Sequence, residues 1–190
     1  MITRWWPVVG LTAMVLLGWA VRTGPAPIDD WFQQVGVELG PYSDAFLVFS
    51  KPVLGAVALL VGIVVALRQH RKRLALAMVI SPLVAITIVR VIKPIFGREK
   101  GGALAYPSGH TTFLVTVAAL LVLVAGLSLW ATAVAISLVL LGIFGLSMTF
   151  HYFTDTVGGV LLGTSVACLA AIFARDAQHG RLDSTSPELR

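Results

Sequence analysis

Residues 68–100 read RQHRKRLALAMVISPLVAITIVRVIKPIFGREK, and this stretch decides how the chain is organised. A basic cluster, Arg68–Arg73, is followed by an apolar run from Leu74 to Ile92 and then by charged residues from Lys93 to Lys100. The apolar run is long enough to cross a bilayer as a helix, which needs roughly 20 residues at about 1.5 Å each. The positive-inside rule places the short basic cluster in the cytoplasm, so the charged group after Ile92 is predicted to lie outside.

Apolar segments of similar length recur along the whole chain. With 57% hydrophobic and 12% charged residues, the 190-residue chain is too apolar for a soluble domain, in which about a quarter of the residues are charged. The sequence therefore predicts an all-α polytopic membrane protein, a bundle of six transmembrane helices. The second span is short, so we expect it to begin near Phe46, with Lys51 near its outer end. The predicted spans are Trp5–Val21, Val53–Leu67, Leu74–Ile92, Thr111–Leu127, Trp130–Phe150 and Thr156–Ala174.

The ends of the chain fit the same topology. The first apolar segment follows a positive residue, as in a signal peptide, but Trp19, Val21 and Arg22 stand where small cleavage-site residues are expected. We therefore predict a retained first span, and alternation then puts both termini in the cytoplasm. Residues 1–175 are predicted to form one membrane domain, and the polar residues 176–190 a disordered cytoplasmic tail.

The first external loop runs from Arg22 to about Asp44. Its two prolines, Pro25 and Pro27, precede acidic and aromatic residues. This pattern predicts a turn that leads into a short amphipathic helix at the membrane interface, with a structural role and contact with the substrate as the alternative.

The charge and the cysteine content limit which classes of partner and which kinds of site the protein can have. The formal net charge is +5, but the basic residues lie at the ends of apolar segments and not on one folded face, so membrane lipids are expected as partners and nucleic acid is not. The single cysteine, Cys168, excludes an intramolecular disulfide and a cysteine metal cluster. No oligomeric state is predicted.

Three groups of polar residues fall on the predicted outer side, and ionisable residues at membrane depth are functional-site hypotheses by default. The fourth and fifth spans form a helical hairpin, so His110 at its start and His151 at its end return to the same membrane level. We expect these two histidines to face one pocket. The groups are Lys93–Lys100, Pro107–His110 and His151–Asp155.

Two of these groups have residues suited to binding an anion. Ser108 and Gly109 precede a long apolar helix, whose free amide groups and dipole favour a negative charge, although a Ser-Gly pair is equally an ordinary helix start. Lys93, Arg98 and Lys100 are donors suited to phosphate oxygens, although interfacial snorkelling produces the same pattern.

The third group contains a histidine and a carboxylate four residues apart. On a helix Asp155 shares a face with His151 and would orient its imidazole. A histidine polarised in this way is a nucleophile toward phosphorus, and His110 would protonate the leaving oxygen. A structural histidine bonded to its own helix is the alternative. The same three side chains also match a zinc or iron site, which the nearby cations disfavour, so no cofactor is expected.

Together these groups resemble the motifs of the type 2 phosphatidic acid phosphatase superfamily, written KxxxxxxRP, PSGH and SRxxxxxHxxxD. PSGH is complete at Pro107–His110 and HxxxD at His151–Asp155, in the family's order, and six spans with motifs at the outer ends match its architecture. The resemblance implies a lipid phosphatase acting at the extracytoplasmic face. Its implied roles are a nucleophile at His151, an orienting carboxylate at Asp155, an acid at His110, and phosphate binders at Lys93, Ser108 and Gly109.

The sequence departs from these motifs at four positions. The arginine and proline of the first motif fall on Lys100 and Gly101, and the serine and arginine of the third fall on Phe144 and Gly145. Lysine keeps the charge but loses the bidentate fork, so Arg98 is expected to compensate. The departures imply weaker phosphate binding, a distinctive substrate, or a non-catalytic relative.

Two functions of other classes stay open. One is a membrane protein that binds a lipid phosphate without turnover, and the other is a small transporter that uses the charged groups as an ion path. The charged groups sit at one outer level and no inverted repeat is visible, which disfavours the transporter. The compact size and short loops favour a bacterial plasma membrane as the location.

Overall fold

The computed structural model describes residues 2–183, with side chains described from Arg4 to Arg175. The described chain is an all-α bundle. A 3-10 segment, Gly40–Ser50, joins the second and third helices, and a hairpin of strands β1 (Glu99–Lys100) and β2 (Ala103–Leu104) joins the fourth and fifth. The α-helices are α1 (Ile2–Val21), α2 (Pro27–Leu39), α3 (Pro52–Arg68), α4 (Lys72–Phe96), α5 (Gly109–Val124), α6 (Leu129–Met148) and α7 (Phe153–Asp183).

Six of these helices coincide with the predicted spans, which confirms the predicted fold class. α5 has 16 residues and is therefore about 24 Å long, which is less than the roughly 30 Å of hydrocarbon in a bilayer. α3, with 17 residues, is also short. α3 belongs to a longer helical stretch that begins with α2. The stretches long and apolar enough to cross a membrane are Arg4–Val21, Pro27–Arg68, Lys72–Phe96, Leu129–Met148 and Phe153–Arg175.

The start of the second span does not coincide with the start of an α-helix. Phe46 lies in the 3-10 segment and α3 begins at Pro52, but both belong to the helical stretch Pro27–Arg68, which is long and apolar enough to cross a membrane. The expected start of the span near Phe46 therefore stays a prediction. Lys51 has extended backbone angles (φ −61°, ψ 122°), because a residue that precedes proline is disfavoured in the helical conformation. Pro52 then occupies the first helical turn, where a missing N–H costs nothing.

The predicted amphipathic helix of the first external loop is α2. Pro27 opens it, and the Asp29 carboxylate accepts a hydrogen bond from the Ala26 N–H at 2.8 Å, which caps the helix. At the other end of the chain, α7 continues to Asp183, beyond the predicted domain boundary at residue 175. Residues 184–190 of the predicted tail lie outside the described residues, so the tail stays a prediction.

Close contact between α5 and α7 positions the functional residues. A Cβ added at Gly159 would lie 2.8 Å from the Ser108 carbonyl oxygen, and one added at Gly163 would lie 2.9 Å from the Thr112 carbonyl oxygen. Small residues allow helices in membranes to approach at backbone distance. The Ser108 N–H also donates to the Asp155 carbonyl oxygen at 2.9 Å, so the N-terminal ends of the two helices lie side by side.

The basic cluster and the polar groups lie at opposite ends of the bundle. The Arg71 guanidinium donates to the carbonyl oxygens of Leu123 at 2.8 Å and Val124 at 3.3 Å, at the C-terminal end of α5. His110 lies in the first turn of the same helix. The two regions are therefore separated by the length of α5, in agreement with the predicted alternation.

Candidate functional site

A cavity of 810 Å³ opens at the end of the bundle that carries the polar groups. Helices α4 and α5, the β1–β2 hairpin and the segment that joins α6 to α7 form its walls. No Asp or Glu among the described residues lines it, so the cavity suits an anion. Its basic residues are Arg90, Lys93, Lys100, His110 and His151, and its apolar ones include Pro52, Ile86, Val89, Phe113 and Phe150.

The two histidines meet in this cavity, as the helical hairpin predicted. Their ring centroids are 6.0 Å apart, and the ring planes are inclined by 60°. His110 is exposed on the first turn of α5, whereas His151 is 8% exposed and lies between α6 and α7. One group placed between them would contact both rings.

The carboxylate of Asp155 lies close to His151 without a hydrogen bond. Asp155 Oδ2 is 3.8 Å from His151 Nδ1, and this buried nitrogen has no hydrogen-bond partner among the described residues. Oδ2 accepts instead from the Tyr152 N–H at 2.9 Å. Because Nδ1 faces the carboxylate, Nε2 is the nitrogen that remains for the cavity. Catalytic hydrogen bonds are often long in unliganded enzymes and tighten when substrate binds.

Two lysines in the cavity wall hold the hairpin in place. Lys93 donates to the Leu104 carbonyl oxygen at 2.5 Å. Lys100 donates to the carbonyl oxygens of Thr149 at 2.8 Å and His151 at 2.9 Å, so it ties the hairpin to the segment that carries His151. Burial disfavours the charged amine and lowers the pKa of Lys100 from 10.5 to about 8, although the Asp155 and Asp29 carboxylates act in the opposite direction.

Arg98 does not line the cavity. Its side chain is 2% exposed, and its guanidinium forms ion pairs with Asp29 at 2.9 Å and Asp155 at 3.0 Å. The same group donates to Thr154 Oγ1 at 2.6 Å. The structure therefore does not bring Arg98 to the predicted phosphate position, because its guanidinium is already paired with two buried carboxylates.

Ser108 and Gly109 have different surroundings. Ser108 is fully buried, and its hydroxyl accepts from the Thr111 N–H at 3.3 Å, so the side chain caps α5 and does not reach the cavity. Gly109 lines the cavity, and a Cβ added there would meet only Val89 within 4 Å, at 3.6 Å. Packing leaves room for a larger residue at this position.

Helix α6 offers no counterpart to the arginine of the third motif. A Cβ added at Gly145 would lie 2.8 Å from the backbone carbon of Phe46 in the 3-10 segment. The neighbouring Phe144 packs edge to face against Phe46 and Phe32, with centroid distances of 5.2 and 5.9 Å. This end of α6 is an apolar contact surface.

Two charged residues that the structure places near the site were not among the predicted site residues. Arg90 lines the cavity and precedes Lys93 by three residues on α4, and this i, i+3 spacing was a signal available in the sequence. Asp29 pairs with Arg98 across 69 residues, and no sequence spacing indicates such a pair.

These features define a class of protein: an all-α membrane protein with a cationic cavity that contains two histidines. Among the described residues, no group of three or more His, Cys, Asp or Glu is arranged to hold a metal ion. Comparisons of the chain with protein-family models, curated proteins and solved structures found no match.

Proposed function

We propose that the protein hydrolyses a phosphomonoester or diphosphate of a lipid, as the type 2 phosphatidic acid phosphatases that it resembles do. The observation that carries this proposal is the cavity in which His110 and His151 lie among three further basic side chains, without an acidic residue in its described lining. Such a lining attracts an anion, and the two imidazoles supply the groups that phosphoryl transfer needs.

The proposed reaction has two steps. His151 Nε2 attacks phosphorus, the bond from phosphorus to the leaving oxygen breaks, and His110 gives that oxygen a proton. Water then attacks the phosphohistidine, passes a proton to His110, and releases inorganic phosphate with His151 restored. The Asp155 carboxylate stabilises the positive charge that develops on the His151 ring.

Charge on the transferred phosphoryl group would be stabilised by the cavity wall. Lys93 and Lys100 supply positive charge, and the amide groups at the start of α5, beside Gly109, point toward an anion at the helix N-terminus. Arg98 would act on His151 indirectly, because its guanidinium pairs with Asp155 Oδ1, the carboxylate oxygen that does not face His151.

The apolar part of the wall supports a lipid substrate. On α4, Ile86 lies seven residues before Lys93 and thus about 10 Å farther into the bundle. A hydrocarbon chain would extend along this wall while its phosphate stays at the histidines. Prenyl diphosphates and monophosphates, phosphatidylglycerol phosphate and phosphatidic acid are the candidate classes.

The position of the cavity supports a site on the extracytoplasmic face. The basic loop between α3 and α4 lies at the opposite end of the bundle, and the positive-inside rule assigns that loop to the cytoplasm. A bacterial plasma membrane with both termini inside is the proposed location.

The test is phosphate release by detergent-purified protein from a panel of prenyl and glycerolipid phosphates in the presence of EDTA. We expect metal-independent release from at least one class. A folded protein that binds these lipids but releases no phosphate would contradict the enzyme. It would support a lipid-phosphate-binding protein, which the small residue at Gly145 and the 3.8 Å gap between His151 and Asp155 favour.

Gly109→Ala is expected to weaken phosphate binding about tenfold, because the new methyl group would crowd the amide groups at the start of α5. The free energy of unfolding should change by less than about 1 kcal/mol, since the added Cβ has room. The inhibition constant of inorganic phosphate and chemical unfolding in detergent measure the two effects. Gly24→Ala is the matched control, because Gly24 has open space and lies outside the cavity. Equal phosphate inhibition of the two variants would contradict the prediction.

Phosphate binding is expected to weaken above pH 8. The amine of Lys100 has a pKa of about 8, so its positive charge is present below that pH and lost above it. The inhibition constant of inorganic phosphate should rise by up to about tenfold between pH 7 and 9. Lys100→Arg retains its charge over this range and should remove the rise. An identical rise in this variant would assign the effect to another group.

A further inference from the structure

We propose that Arg90 forms a second phosphate subsite in the cavity and makes a lipid diphosphate the preferred substrate over a lipid monophosphate. The inference rests on the proposed function and assigns a substrate class to the same site. It also gives a role to a cavity residue that the motifs do not include.

The positions along α4 follow the order of groups in a lipid diphosphate. Arg90 precedes Lys93 by one turn, about 4.5 Å along the axis, on the side away from the hairpin. Ile86 lies about one turn farther into the bundle. A Cβ at Gly109 would lie 3.6 Å from Val89, the residue before Arg90, so the first turn of α5 with His110 is at the level of Arg90. From the outer end inward, α4 therefore presents Lys93, then Arg90, then the apolar side chain of Ile86. A terminal phosphate, an inner phosphate and a hydrocarbon chain match these three positions.

The guanidinium of Arg90 is free to bind such a group. Lys93 and Lys100 donate to backbone carbonyls, whereas Arg90 is exposed and forms no ion pair or hydrogen bond with another described residue. An arginine within a membrane helix is costly and marks a functional position by default. Snorkelling explains an arginine directed to the interface, but it does not explain one that lines the cavity of the two histidines. The planar fork matches two phosphate oxygens.

The inner phosphate becomes the leaving group in this reaction. His151 Nε2 bonds to the terminal phosphorus, and the bond between that phosphorus and the bridging oxygen breaks. The lipid leaves as a monophosphate with the additional negative charge on the former bridging oxygen. Arg90 would neutralise this charge, so the leaving oxygen of a diphosphate needs no proton from His110. Water then cleaves the nitrogen–phosphorus bond, passes a proton to His110 and gives inorganic phosphate. A lipid monophosphate has no inner phosphate, so its hydrolysis gains nothing from Arg90.

The test compares farnesyl diphosphate with farnesyl monophosphate, which share one hydrocarbon chain. For Arg90→Gln we expect kcat/KM to fall about 30- to 100-fold with the diphosphate and less than about threefold with the monophosphate. Arg90→Lys keeps the charge but loses the two parallel donors of the guanidinium. Its kcat/KM with the diphosphate should therefore lie between those of the unmodified protein and Arg90→Gln. Arg22→Gln is the matched control and should change neither value, because Arg22 is exposed at the outer end of α1, stacked on Trp19 outside the cavity.

The outcomes separate this inference from the proposed function. Equal losses with both substrates, or no loss with either, would overturn the diphosphate subsite while leaving the phosphatase intact. Absence of release by the unmodified protein from both farnesyl substrates would overturn the subsite, and absence of release from the glycerolipid phosphates as well would overturn the phosphatase. Because Arg90 is exposed, its variants should elute and unfold as the unmodified protein does, so a selective loss reports on substrate binding.

Discussion

His151→Asn is expected to lower kcat for phosphate release by at least about 1,000-fold, because it removes the nitrogen that attacks phosphorus. The ring lies in the cavity 6.0 Å from His110, and its Nδ1 faces Asp155, so His151 is the cavity histidine whose developing charge a carboxylate would stabilise. Asparagine fills a similar volume without a nucleophilic nitrogen. The loss should therefore be chemical, with the fold retained.

Rapid quenching with substrate labelled in the terminal phosphate tests this role directly. The unmodified protein should carry a label that is stable in alkali and lost in acid, as expected for phosphohistidine, and His151→Asn should carry none. His110→Asn should still take up label, but more slowly with a monophosphate, whose leaving oxygen must be protonated. His70→Asn is the matched control, since His70 lies at the opposite end of the bundle. Undiminished labelling of the His151 variant would exclude it as the nucleophile.

Arg98→Gln is expected to lower the free energy of unfolding by about 3–5 kcal/mol, because it leaves two buried carboxylates without their cation. Asp29 and Asp155 are both fully buried, and each pairs with one side of the Arg98 guanidinium. Removal of one partner from a buried ion pair leaves an uncompensated charge, which costs more than the pair itself contributes.

The order of effects among variants separates charge from hydrogen bonding. Asp29→Asn leaves one cation facing one carboxylate, so it should destabilise the protein less than Arg98→Gln does. Arg22→Gln removes an exposed cation and should change stability by no more than about 0.5 kcal/mol. Chemical unfolding in detergent measures all three. Equal destabilisation by Asp29→Asn and Arg98→Gln would show that buried charge is not the governing factor.

The sequence predicts the bundle well because a membrane imposes strict requirements on it. Each crossing segment must satisfy its own backbone hydrogen bonds, so apolar length alone locates the helices. The meeting of His110 and His151 follows from the same constraint, because the helices between them form a hairpin. The 3-10 conformation of the residues around Phe46 was not predicted, because hydropathy does not distinguish a 3-10 segment from an α-helix.

The partner of each charge was harder to predict. Arg98 lies in the cationic group after α4, and its sequence neighbours gave no sign that Asp29, from a distant helix, would pair with it in the interior. Arg90 was missed although it lies one turn from Lys93, because it falls within an apolar run. Local spacing determines which helical face a residue occupies, whereas its countercharge depends on the tertiary packing.

The contact between α6 and the 3-10 segment restricts how this sequence can diverge. At Gly145 the backbone of residues 40–50 occupies the space that any side chain would need. A single codon change to arginine therefore disrupts packing before it can supply a charge. A cation on α6 at this position would require residues 40–50 to move first. A change in the packing of residues 40–50 must therefore precede any substitution of Gly145 by a larger residue.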